Sequence, residues 1–140
     1  MRVVLDANVV ISALLAPAGA PARVLLAWQD GAFEAVVCDL LLEEIERALS
    51  YPKLRRRVPA DDAEALVEWL RRSAILAPDP EGTPPIDSPD PGDDYLIALA
   101  AERRAVIVSG DAHLLGLSER IPVYPAAAFL ELLRERDGES

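Results

Sequence analysis

Cysteine occurs once, at position 38, so no internal disulfide can form, and without a CxxC pair or a Cys/His cluster there is no soft ligand set for zinc. A reducing compartment, the cytoplasm, is the expectation. Nothing resembling a basic segment with a long apolar run precedes the strand-like "RVVLD", so no export signal is expected. The longest early apolar stretch, "VVISALLA", is far short of the roughly 20 residues of a membrane span, so no membrane partner is expected. Aromatic residues make up only 5% of the chain against 51% hydrophobic, so the core must be built from Leu, Val, Ile and Ala. Neither a GxGxxG nor a GxxxxGK[ST] occurs, which removes the main support for dinucleotide binding and P-loop chemistry. Positive charge is scarce too: 14 Lys and Arg face 24 Asp and Glu, a net charge of −10. That balance argues against nonspecific nucleic-acid binding, whose affinity comes largely from phosphate neutralisation.

What the chain does have is length for one domain and a regular alternation of strand and helix patterns. Its 140 residues are read as a single domain over 1–136, with 137–140 expected to be a disordered tail. Strands are expected at 2–6, 33–37, 74–77, 105–109 and "IPVY", with helices near 8–15, 21–29, 39–50, 60–73, 93–104 and 126–136 and a helical turn at 112–116. Continuous Val/Ile runs alternating with helices predict an α/β fold, a central parallel sheet covered on both faces. Six of the 12 prolines fall within residues 78–91, so 78–92 is expected to be a surface loop.

Acidic residues collect where such a sheet would bind a ligand. Asp6 ends the first strand and Asp111 follows "AVIVS", which puts both at the carboxyl edge of the sheet, and a helix beginning at Asp93 must start at that edge. On a helix of about 100° per residue, Glu44 borders the buried stripe of Leu41, Ile45 and Ala48, whereas Glu43 and Glu46 face away. The same wheel aims Asp94 inward above Ile97, Ala98 and Ala101, makes Asp93 a second candidate, and leaves Asp90 ahead of the helix in a capping or supporting place. Carboxylates gathered in one crevice raise one another's pKa values unless a cation neutralises them. Oxygen-only ligation selects Mg²⁺ or Mn²⁺, ions suited to phosphoryl chemistry.

With these residues in view, "VVLDANVVISAL", "CDLLLEEIERALSYPKL", "DPGDDYLIALA" and "VIVSGDAHLL", in that order, resemble the PIN-domain family, in particular its toxin-like branch of small prokaryotic chains. The resemblance implies a three-layer α/β/α sandwich and a metal-dependent ribonuclease, with Asp6, Glu44, Asp94 and Asp111 as the acidic site and Asn8 and Ser109 in support. It also implies an RNA substrate, a small antitoxin protein that holds the enzyme inactive, and a homodimer. The chain departs from the family's pattern at Gly92, where a third acid is common, and at Cys38, where Ser or Thr is common.

A non-catalytic or RNA-processing module that binds RNA or a protein partner is the alternative. Its mark would be a missing acid, and none is missing. The run "KLRRR", with Arg55, Arg56 and Arg57, is the one cationic cluster and a candidate contact for RNA phosphates or an acidic partner segment, against the simpler reading of a solvated patch. His113 is given no role, and Leu66, Trp69 and Leu70 are read as core or dimer interface rather than a stacking platform.

Overall fold

The computed structural model describes residues 1–139. Five short strands form one sheet in which every neighbouring pair is parallel: β1 Arg2–Leu5, β2 Glu34–Val37, β3 Ile75–Leu76, β4 Val106–Val108 and β5 Val123–Tyr124, in the spatial order β3-β2-β1-β4-β5. The inner strands are β-branched runs with Val3, Val4, Val36, Ile107 and Val108 almost wholly buried, the pattern that a sheet covered on both faces demands. Helices α1 Ala7–Leu15, α2 Ala20–Gln29, α3 Asp39–Ser50, α4 Pro52–Arg55 and α5 Ala60–Ser73 belong to the crossovers that build the sheet outward from β1 to β3. Helix α6 Asp94–Arg103 packs on β1 and β4. The chain then continues through α7 Ala112–Leu115 to α8 Ala126–Glu139, which packs back on α2. Parallel crossovers are right-handed, so the outward-building connections lie on one face and α6, which returns the chain to the other side of β1, lies on the opposite face. This is the expected α/β/α sandwich.

The turn from α2 to β2 needs Gly31, whose φ of 83° lies in the left-handed region that an L side chain resists. The paired tryptophans Trp28 and Trp69 pack with ring centroids 4.8 Å apart; Leu70 is buried, while Leu66 and Trp69 are half-buried and pack against the edge of the core.

Several boundaries differ from those the sequence suggested. Pro52 stands in the first turn of α4, a helix not anticipated, because proline's fixed φ suits a helix start as well as it suits a break. Helix α8 runs on to Glu139, so residues 137–139 are helical where a disordered tail was expected; no residue between 126 and 137 breaks the helix, and the expected end at 136 had only polarity behind it. Ser140 lies outside the described residues. The connection from β3 to α6 has no regular structure until a 3₁₀ turn at Pro91–Asp93, and it is tied down at intervals: Asp79 accepts from the N–H of Leu40, Glu102 from that of Gly82, and Asp94 from that of Ser88. Among the described residues no single helix is long and apolar enough to cross a membrane.

Candidate active site

The chain reverses direction across the sheet at β1: connections from it build toward β2 on one side, while β4 enters from the other. In open parallel sheets the crevice beyond the strand ends at such a point is the usual ligand site. Asp6 stands there as the residue after β1, its N–H donating to Val108 O at 3.0 Å and so extending the β1–β4 ladder by one rung. Although Asp6 precedes α1, its side chain does not cap that helix. Instead its Oδ2 accepts from Ser109 Oγ at 2.7 Å and from Asn8 Nδ2 at 3.2 Å. Ser109 Oγ in turn accepts from the Asp111 N–H at 3.0 Å, and Asn8 Oδ1 from the Gly110 N–H at 3.1 Å. Asn8 and Ser109 therefore stitch the end of β1 to the loop after β4. Asp111 caps the short α7 by accepting from the N–H of His113 at 3.0 Å.

Two more carboxylates complete the cluster. Glu44, half-buried on α3, accepts a short hydrogen bond from the hydroxyl of Tyr95 on α6. Asp93, buried with 8% exposure, closes the 3₁₀ turn ahead of α6. Burial is the main cause that pushes the Asp93 carboxyl up to about 7, reinforced by its hydrogen bond to Asp111 and by the charges of Asp111, Asp6 and Asp90. The same hydrogen bond from Asp93, with the His113 N–H, holds Asp111 below the usual carboxylate range. Below neutral pH the two form an acid–carboxylate pair with the proton on Asp93. Asp6 is raised by burial, against the Ser109 hydrogen bond, and further by Glu44 and Asp111. Burial and the adjacent Glu44 raise the Tyr95 phenol as well, so it remains a donor.

The structure thus brings Asp6, Glu44 and Asp111 into one electrostatic cluster with Asn8 and Ser109, but the fourth member is Asp93 rather than Asp94. The Asp94 carboxylate accepts from the Ser88 N–H at 2.8 Å and holds the Pro-rich loop. The wheel that made Asp93 only a second candidate assumed a helix from residue 93 onward, whereas α6 begins at Asp94 and Asp93 belongs to the tighter 3₁₀ turn, where the 100° step does not apply. Asp90 takes the supporting place expected of it, capping that turn through the Gly92 N–H at 3.0 Å, and its charge still reaches Asp93.

Arg55, Arg56 and Arg57 are not brought to the carboxylates. Arg57 donates to Leu15 O at the C-terminus of α1, which the helical rise places about 13 Å along the axis from its start beside Asp6, and Arg55 donates to Leu49 O near the end of α3. Two residues at the site went unread in the sequence, and a third, His113, was given no role. Tyr95 was counted as one of an apolar run; Ser88 is buried and anchors Asp90 and Asp94; the ring of His113 lies 3.5 Å from Asp111. A wheel drawn from Asp94 would have placed Tyr95 near the sheet edge, but nothing in the sequence pairs it with a glutamate 51 positions away.

The donor set suits a hard cation. Among the described residues Asp93 Oδ2 is buried without a hydrogen-bond partner, and no Lys or Arg side chain pairs with any of the four acids. Among the described residues no three potential ligands already stand as a coordination sphere, so the fit lies in chemistry and charge rather than in ready-made geometry.

A family model described as "PIN domain" matches residues 2–113 of the chain. The chain is also similar to uncharacterized protein MJ1680 of Methanocaldococcus jannaschii, 30% identical over 125 residues that span 85% of this chain and 76% of that protein.

Proposed function

Because the chain belongs to the PIN-domain family, whose members are in general metal-dependent nucleases, we propose that it is a Mg²⁺- or Mn²⁺-dependent endoribonuclease. The observation that carries this reading is the cluster of Asp6, Glu44, Asp93 and Asp111 at the strand ends, oriented by neutral donors and, among the described residues, without a Lys or Arg partner. These four residues would hold the ion. Bound there, it would polarise a phosphodiester and supply hydroxide at neutral pH.

The protein's own contribution is orientation and proton handling. Ser109 and Asn8 hold Oδ2 of Asp6, and the phenol of Tyr95 holds Oε2 of Glu44. Asp93 holds a proton at the oxygen facing Asp111 and gives it up as the site is charged with a cation. Asp94 and Ser88 keep the Pro-rich loop against the start of α6, so that the 3₁₀ turn carrying Asp93 is fixed from both ends.

The toxin role, the small antitoxin partner, the homodimer and the cytoplasmic setting are part of this proposal, supported by the resemblance of the motifs to the toxin-like branch. In it Arg55 to Arg57 serve the partner or the distal RNA rather than the scissile phosphate, given their distance from Asp6. The non-catalytic alternative would need an acid to be absent, and each of the four places is filled.

The purified protein, free of any partner, is expected to cut single-stranded RNA in millimolar Mg²⁺ or Mn²⁺ and to stop on addition of EDTA. Cleavage that continues undiminished under chelation would sink the metal mechanism. A short neighbouring gene for a DNA-binding protein would support the toxin role, and its absence would favour RNA processing.

A further inference from the structure

We propose that Tyr95 is a positioning residue for the proposed metal site: its hydroxyl, donated to Glu44 Oε2, holds Glu44 in its working position and leaves Oε1 as the oxygen offered to an ion. This rests on the reading of the cluster as a cation site.

Glu44 projects from the middle of α3, half-buried, and the Tyr95 hydroxyl is the hydrogen-bond partner that its carboxylate has. A glutamate side chain has three rotatable bonds and swings into solvent unless it is held. Tyr95 suits the holding task because its ring sits in the first turn of α6 and packs, half-buried, against the core, which gives the hydroxyl a defined origin. It also suits the task because it is neutral. An arginine or lysine in its place would orient Glu44 but cancel the charge that draws the ion, whereas a phenol orients and leaves the charge in place.

A like arrangement occurs at Asp6, where a serine hydroxyl and an asparagine amide hold Oδ2. Carboxylates on different elements are thus each held by one oxygen through neutral donors. Groups that orient metal ligands in this way usually govern affinity by a factor of 10–100 when removed.

The test compares wild type, Tyr95→Phe, Glu44→Gln and the double variant by calorimetric melting across a Mn²⁺ titration, with RNA cleavage as a second readout. Phenylalanine keeps the ring and its packing and removes only the donor. Tyr95→Phe is expected to melt cooperatively and to shift the Mn²⁺ midpoint of stabilisation upward by about 10-fold or more, with the midpoint for cleavage following it. Glu44→Gln is expected to weaken the Mn²⁺ response on its own, and adding Tyr95→Phe to it should bring no further loss.

A Mn²⁺ midpoint within about twofold of wild type in Tyr95→Phe would overturn the inference. So would an undiminished further loss in the Glu44→Gln background, which would mean the hydroxyl acts without Glu44, or loss of the cooperative melt, which would assign the hydroxyl to the fold. A wild type that answers Mn²⁺ in neither readout would overturn the cation-site reading itself. A responsive wild type with an indifferent Tyr95→Phe overturns the role of Tyr95 alone.

Discussion

Asp93→Asn is expected to lower RNA cleavage by about 100-fold or more while leaving the metal-free protein at least as stable as wild type. The first expectation follows from the proposed ligand role, since even residues that merely orient metal ligands are worth 10–100-fold. The second follows from electrostatics: Asp93 is buried beside Asp111, Asp6 and Asp90, and an amide there can still donate to Asp111 while no longer resisting ionisation. Asp94→Asn should behave in the opposite way. It weakens the acceptor for the Ser88 N–H at the base of the Pro-rich loop, so it should cost about 1 kcal/mol of stability and leave most of the cleavage in place. Kinetics and thermal melting of the two variants side by side decide the matter. Silencing by Asp94→Asn alone would return the ligand role to Asp94, and equal silencing by both would make the clamped loop part of the site.

The second large effect is a three-way linkage among proton, metal and fold. The Asp93 carboxyl titrates at about 7 in the folded protein against 3.8 in an ordinary environment. Between those values the folded state holds a proton that the unfolded chain has released, so stability is greatest at the acidic end and is lost as the pH rises toward 7, by up to about 1.4 kcal/mol per pH unit for one such group. The metal-free protein should therefore melt higher at pH 5.5 than at pH 8. The net charge of −10 pushes the same way, and Asp93→Asn isolates the site's share because the slope should flatten in that variant. Mn²⁺ should reverse the trend, since it competes with the proton. At a hundredfold excess over Kd it adds about 2.7 kcal/mol, about 9 °C for a chain of this size, and the gain should shrink on acidification. A metal-free melting temperature that rises from pH 5.5 to 8 would contradict the acid–carboxylate pair.

The parts of this site that could be read from the sequence are those fixed by topology. Asp6 and Asp111 each follow a Val-rich strand, and in a parallel sheet the residue after a strand has to lie at the carboxyl edge; Glu44 was selected because α3 is a regular helix whose apolar stripe fixes its rotation. The reading failed where the backbone leaves regular geometry. The 3₁₀ turn at Pro91–Asp93 sets Asp93 off the helical step on which its placement relied, and the Ser88 N–H engages Asp94, a contact that no wheel displays. Tyr95 and Ser88 act through contacts 51 and 6 positions away, made by a phenol and a backbone N–H that carry no periodic signal. Lys53 to Arg57 read as a free cationic run, but a short helix directs Arg55 and Arg57 to the carbonyls at the ends of α3 and α1.

The pairing of β1 with β4 also governs when the molecule becomes competent. Ser109 and Asp6 are 103 positions apart, and the strands that bring them together are registered Val3 on Val106. Contacts of such separation form late and slowly, because the entropy of closing the intervening chain is spent before they reward it. A nascent chain synthesised as far as α5 already carries Asp6 and Glu44, yet has neither Asp93 nor Asp111 and no β4 to set beside β1. On the proposed reading, in which the chain cuts RNA, a nuclease is made on RNA, and this strand order leaves its acidic cluster incomplete until the ribosome has delivered residue 111.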